Sequence, residues 1–137
     1  MIETVVSVGL PIDENLNIKK KRVTPIRPLD GSEKRISIVT GIHGDELEGQ
    51  YVCYQLLKRL NDNIEKLSGI VDIYPAMNPL GIDSITRGIP GFDLDMNRIF
   101  PGNSDGSMTE YIASKIIEDI SGSAACVDIH ASNIYLR

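Results

Sequence analysis

The chain has 137 residues, of which 42% are hydrophobic, a formal net charge of −5 and an isoelectric point near 5.0. That length fits one domain or part of one, and that apolar content supports a packed core rather than a disordered chain. The acidic balance excludes a general nucleic-acid binder, which carries a basic patch on a basic domain.

Residues 2–10 carry Ile2, Val5, Val6, Val8 and Leu10 and read as a strand. Pro11 to Asn17 reads as a turn and residues 18–28 as a second strand, so the first 28 residues are expected to form a hairpin. The basic run Lys19–Arg22 is expected at a solvated hairpin tip or as protection of an edge strand. Arg35–Thr40 is short and β-branched, as a buried strand is. A helix is expected from Glu46 to Leu60, with Asp45 as N-cap and two apolar rows, Leu47-Tyr51-Tyr54-Leu57 and Val52-Leu56-Leu60. Residues 70–75 read as another strand. Residues 78–106 show no periodicity, and a loop of that length inside a domain is usually functional. A second helix is expected over 108–121, on a stripe of Met108, Ile112, Ile116 and Ile120. A strand over 124–129 follows and delivers His130 at its carboxyl end.

Strands alternating with helices predict an α/β fold with a mixed, largely parallel sheet flanked by helices. Ligands of such sheets sit beyond the carboxyl ends of the strands, where His43 and His130 both fall. Cys53 and Cys126 form no CxxC pair and are expected to be buried free thiols in a reducing compartment. The start Met1-Ile2-Glu3-Thr4 lacks the basic and long apolar stretches of a signal peptide, and no run approaches a membrane span. A cytoplasmic protein with no membrane or nucleic-acid partner is expected.

His43 and Glu46 are three residues apart at the start of the first helix, so both side chains can point over one loop. With His130 they would make a His2Glu set, and a catalytic zinc takes three such ligands and keeps one position open. The spacing H-x-x-E alone is weak. His43 can equally be a loop histidine bonded to a carboxylate, and His130 a strand-end histidine with a satisfied ring. Asp128, next to last in its strand, is expected to face away from His130 and stands outside this set.

Five segments in order sharpen the picture: Gly41–Gly49 (GIHGDELEG), Asn78-Pro79-Leu80-Gly81, Arg87, Asp95-Met96-Asn97-Arg98 followed by Ile99-Phe100-Pro101-Gly102, and Asp128-Ile129-His130. From about Arg35 onward they resemble the succinylglutamate desuccinylase/aspartoacylase family, a branch of the zinc carboxypeptidase superfamily. The resemblance implies one Zn2+ per site, held by His43, Glu46 and His130. It implies that Arg87 polarises the scissile carbonyl, and that Asn97 and Arg98 grip the α-carboxylate of the substrate. It further implies that Asp95 hydrogen-bonds a zinc-bound histidine from behind. Met96 replaces the commoner leucine of D-L-N-R, at a position expected to face the core. An arginine fork suits a carboxylate, and a second guanidinium opposes charge growing on a carbonyl oxygen.

By that resemblance the chain is the N-terminal part of a zinc hydrolase catalytic domain, residues 1–28 being the hairpin and 35–137 carrying the metal and substrate motifs. The partner implied is a small N-acyl amino acid or related amide with a free carboxylate, and association into a homo-oligomer stays open. The family's general-base glutamate lies well downstream of the third ligand. Residues 131–137 contain no Glu or Asp, so the base is expected outside these residues, and the fold incomplete within them. A carboxypeptidase-like peptidase and a non-catalytic metal- or carboxylate-binding module are the competing readings.

Overall fold

The computed structural model describes residues 1–11, 13–91 and 94–132. Ten elements follow in order, of which five are strands of one sheet: β1 (Ile2–Leu10), β2 (Glu14–Val23), β3 (Arg35–Thr40), β4 (Ile70–Tyr74) and β5 (Ala125–Ile129). The sheet order is β1-β2-β4-β3-β5. The hairpin β1–β2 and the pair β2–β4 are antiparallel, whereas β3 runs parallel to both β4 and β5. The sheet is therefore mixed, with its parallel half where the candidate residues sit.

The hairpin turn is tighter than expected. Glu14–Asn17 belong to β2, paired with residues Ser7–Leu10 of β1. Leu16 and Ile18 share one strand face and are both buried, and that burial overrides the turn propensity of the two asparagines. The chain reverses at Asp13, in the left-handed region at φ 55°, which aspartate tolerates. β2 ends at Val23 rather than near 28. Pro25 and Pro28 follow, and proline has no N–H to give a ladder.

The basic run is not a solvated tip. It lies on β2, between β1 and β4, and alternation turns Lys20 and Arg22 onto the face that bears Ile18. Lys20 is only 4% exposed. Its ammonium meets Asp119 at 2.7 Å and Asp72 at 3.6 Å. Arg22 makes a two-pronged contact with the fully buried Asp72, at 2.7 and 2.6 Å. Burial raises the Asp72 pKa, but the Arg22 hydrogen bonds, the Lys20 charge and Arg35 outweigh it and hold the carboxyl below its usual range.

Helix α1 (Glu48–Asp62) follows β3, and helix α3 (Met108–Ile120) precedes β5. Between them lie a 3-10 turn (Ile64–Lys66), the short helix α2 (Pro79–Ser84) and a second 3-10 turn (Met96–Arg98). α3 starts with a capping box: Ser107 accepts from the Glu110 N–H, and the Glu110 carboxylate accepts from the Ser107 N–H. Ile112 and Ile116 of its apolar stripe are buried, packed with Val39, Tyr74, Ile18 and Met77. At its other end the Arg35 guanidinium donates to the carbonyls of Asp119, Ile120 and Ser121, where the helix dipole favours a cation.

α1 begins at Glu48, two residues later than expected, because His43–Glu46 are spent on a turn. Leu47 takes the N-cap position and no side chain caps the helix. Asp45 is buried instead, and its Oδ1 has no hydrogen-bond partner among the described residues. The apolar rows read from the sequence do not face the core. Tyr51 is 66% exposed and Tyr54 63%, while Gly49 and Cys53 make the buried side. Of the two thiols, Cys53 is buried as expected and Cys126 is exposed, on β5, the outermost strand among the described residues. Among the described residues, no helix is long and apolar enough to cross a membrane.

Candidate metal centre

The site forms where the parallel strands end. Thr40 closes β3, and Gly41 turns the chain at φ +71°, a conformation that side chains other than glycine strain to adopt. A second glycine does a different task. A methyl group on Gly44 would run into the carbonyl of Gly81 and the nitrogen of Ile82. That close approach, with Gly44 N–H donating to Thr86 O at 2.9 Å, seats the 43–46 turn against α2. Asn78 fastens the same junction. It is buried, accepts from Gly81 N–H at 2.9 Å, and donates to the carbonyls of Gly88 and Ile42.

His43 and Glu46 emerge from that turn, both buried. His130 comes from just beyond β5. Each carboxylate oxygen of Glu46 takes one ring: Oε1 lies 2.7 Å from His43 Nδ1, and Oε2 lies 2.9 Å from His130 Nδ1. The Ala131 N–H also donates to Oε2 at 2.9 Å. The two ring centroids are 4.9 Å apart. One donor atom from each of His43, Glu46 and His130 lies within 4.8 Å of the others. Three donors on one cation at about 2.0–2.1 Å stand somewhat closer together than that. Two imidazoles, one carboxylate and a partly open rim fit a zinc ion by donor chemistry.

The far nitrogens of both rings are engaged as well. His43 Nε2 lies 3.0 Å from Asp95 Oδ1, and His130 Nε2 lies 3.0 Å from Asp128 Oδ2. Asp95 thus lies on the far side of the His43 ring from Glu46. Asp128 does not face away from His130. Alternation puts residues two apart on the same strand face, so 128 and 130 belong together, and Asp128 is a site residue missed from the sequence although the rule that finds it is the simplest one for strands.

Charges at the site act on one another. Burial raises the Glu46 pKa, but the Ala131 N–H and the two histidines more than offset it and the carboxyl ends below its ordinary range. Asp95 is lowered in the same way, burial being outweighed by His43, the Asn97 N–H and Arg87. Burial depresses the His130 pKa, but Glu46 and Asp128 more than offset that and the net shift is upward.

The remaining expected residues surround this centre unequally. Arg87 reaches towards it, with its guanidinium 3.7 Å from Glu46 and 3.5 Å from Asp95. Asn97 lies between the two rings, its Nδ2 at 3.4 Å from His43 Nε2 and 3.5 Å from His130 Nε2. Arg98 is 87% exposed and touches only Asp95 among the described acids, at 3.8 Å. Met96 is buried in the core, as its place in the motif requires. The long loop contains α2 and the 3-10 turn, in which Asp95 accepts from the Asn97 N–H; residues 92 and 93 of it lie outside the described residues. An apolar cleft of about 420 Å³ opens beside the centre, between Ile116, Ile120 and Phe100 on one side and Cys126 and Asp128 on the other.

Fold and donor set together define a mixed α/β domain with an imidazole–carboxylate–imidazole centre at the carboxyl ends of its parallel strands. The succinylglutamate desuccinylase/aspartoacylase catalytic domain matches residues 32–134, and the chain belongs to that family. It is 35% identical over 105 residues to the N-alpha-acetyl-L-2,4-diaminobutyric acid deacetylase of Halomonas elongata, covering 76% of this chain and 30% of that protein. Among solved structures it is similar to an aspartoacylase family protein from Mesorhizobium loti (28% identity, TM-score 0.75, 95% of this chain and 40% of that one). It is also similar to a succinylglutamate desuccinylase/aspartoacylase from Rhodobacter sphaeroides (27% identity, TM-score 0.77, 96% and 40%). The chain therefore spans less than half the length of these relatives.

Proposed function

We propose that the chain carries the metal- and substrate-holding part of a zinc-dependent deacylase that removes an acyl group from an N-acyl amino acid. The observation that supports this most is the convergence of His43, Glu46 and His130 on one point, with Arg87 beside it. The deacetylase from Halomonas elongata, whose substrate is an N-acetyl amino acid, supports the substrate class. When bound, zinc supplies Lewis acidity and lowers the pKa of water towards about 7.

The chain's own residues do the rest. His43, Glu46 and His130 hold the cation. Arg87, charged and 54% exposed, lies where it can oppose charge growing on the scissile carbonyl oxygen. Asn97 and Arg98 are proposed to grip the substrate carboxylate: Arg98 has its fork free towards solvent, and the Asn97 amide stands at the rim. The general base is proposed to lie outside residues 1–137. Two glutamates of α3 are engaged elsewhere, Glu110 in its capping box and Glu118 with Lys115 at 2.7 Å.

Calorimetric titration with Zn2+ tests the centre. The chain is expected to bind one ion, and Glu46→Gln and His130→Ala are each expected to weaken binding at least tenfold. Equal binding by the unaltered chain and both variants would refute the centre. A panel of N-acyl amino acids and of peptides with free carboxyl ends, given to the longest form of the protein, separates deacylase from peptidase.

A further inference from the structure

We infer that Asp128 is a positioning residue, which holds the His130 ring in the state that binds metal. The inference rests on the metal-binding reading above. Asp128 and Asp95 play matching parts in the geometry: each places a carboxylate oxygen 3.0 Å from the Nε2 of one histidine, while the Nδ1 of that histidine faces Glu46. The two clamps come from different elements, Asp95 from the long loop and Asp128 from β5, so the two rings are held independently.

A carboxylate can only accept. A neutral imidazole that donates to it must carry its proton on Nε2, and the lone pair is then on Nδ1. Nδ1 is the nitrogen that faces Glu46 and the other ring, so the aspartate selects the tautomer with a bare ligating atom. Asn97 Nδ2 competes for the same Nε2 and would favour the opposite tautomer, since an amide N–H needs a lone pair to meet. It lies at 3.5 Å against 3.0 Å for the aspartate, and a contact to a charged carboxylate is the stronger one at the shorter distance. The backbone of Asp128 is fixed by the parallel ladder, where it pairs with Val39. Among the described residues, His130 is the one cationic or imidazole side chain within 4 Å of its carboxylate, so an ordinary surface ion pair does not account for its position.

The test uses the 137-residue chain with Asp128→Asn, Asp128→Ala and His130→Ala. Co2+ binding is read from its visible absorption and Zn2+ affinity by competition with a chelator of known strength. Thermal melting is recorded without metal. Removing a carboxylate behind a metal-bound histidine typically weakens binding about 10–100-fold. Asp128→Ala is expected in that range, with an altered Co2+ spectrum. Asp128→Asn keeps an acceptor oxygen but not the charge and is expected to fall between it and the unaltered chain. Both should melt as the unaltered chain does. Wild-type affinity and spectrum in both variants, with binding lost in His130→Ala, would overturn the role of Asp128 and leave the metal centre standing. Binding that is absent in the unaltered chain, or unmoved by His130→Ala, would overturn the centre and the role together. Early melting of both Asp128 variants without metal would make Asp128 a folding residue and also overturn the inference.

Discussion

The Lys20 ammonium stands 2.7 Å from both carboxylate oxygens of Asp119, joining β2 to the last turn of α3 across 99 positions of sequence. The Tyr74 hydroxyl donates to the same carboxylate at 2.6 Å. Asp119→Asn removes the charge and leaves a buried ammonium with its closest partner neutralised. Removing one member of such a group costs more than the pair contributes, and a hydrogen bond to a charged group contributes about 1.5–3 kcal/mol. Asp119→Asn is expected to lower stability by about 2–3 kcal/mol in urea unfolding. Lys20→Met is expected to cost less, since the part-exposed Asp119 can turn to water. The reverse order would show that α3 is not held by this pair.

Asp72 makes stability depend on acid. Its folded pKa lies below the unfolded value of about 3.9. The native state therefore binds fewer protons than the unfolded chain between those two values. The stabilisation is fully present above about pH 4 and is lost as pH falls through the folded pKa. The part of the urea midpoint that Asp72 supplies, read as the difference between the unaltered chain and Asp72→Asn, is expected to hold between pH 7 and 5 and to drop below about pH 4. In Asp72→Asn the chain should be weaker at neutral pH and its acid dependence shallower. An acid slope as steep as that of the unaltered chain would assign it to other carboxyls.

Gly44→Ala forces a methyl group into the backbone of α2. Backbone cannot rotate away as a side chain does, so the 43–46 turn must lift. Metal affinity is expected to drop by more than tenfold, together with a loss of about 1–3 kcal/mol of stability, the usual cost of overpacking. Retained affinity would mean that the turn can shift without moving His43 or Glu46.

On the proposed function, the two arginines should separate kinetically in the longest form of the protein. Arg98→Ala is expected to raise KM for substrates with a free α-carboxylate and to spare amidated ones. Arg87→Ala should lower kcat, because its target is charge that appears only in the transition state. Equal losses on both substrate types for Arg98, or a pure KM effect for Arg87, would contradict these roles.

Loss of a positioned general base costs about 10²–10⁴-fold. Zinc-loaded residues 1–137 are therefore expected to hydrolyse N-acetyl amino acids slower by about that factor than a longer relative. Comparable turnover would place a base within these residues.

Much of the site was legible because its parts are short-range. His43 and Glu46 share one turn, Asp95 and Met96 one motif, and strand ends can be placed from β-branched runs. What escaped depends on contacts between distant segments. Lys20 reads as surface charge until β4 and α3 bring Asp72 and Asp119 against it. Tyr51 and Tyr54 fall on an apolar row of α1, but a helical period shows that residues share a face, not which way the face points. Cys126 reads as buried because its strand's place at the sheet edge is a property of topology. Asp128 needed no distant information, only period-two alternation applied across the end of a strand.

β5 is bordered by β3 on one side, and no described strand lies on the other. Within the described residues, then, opening β5 breaks one set of ladder bonds where opening β3 breaks two. His43 and Glu46 are anchored in the interior, and His130 rides on the margin. Fluctuation of that margin would turn a three-donor cage into a two-donor clip without disturbing the remaining structure. On the proposed metal reading, ion capture and retention would then be governed by different segments: the turn at 43–46 would receive the cation, and the residence of β5 would set how long it stays.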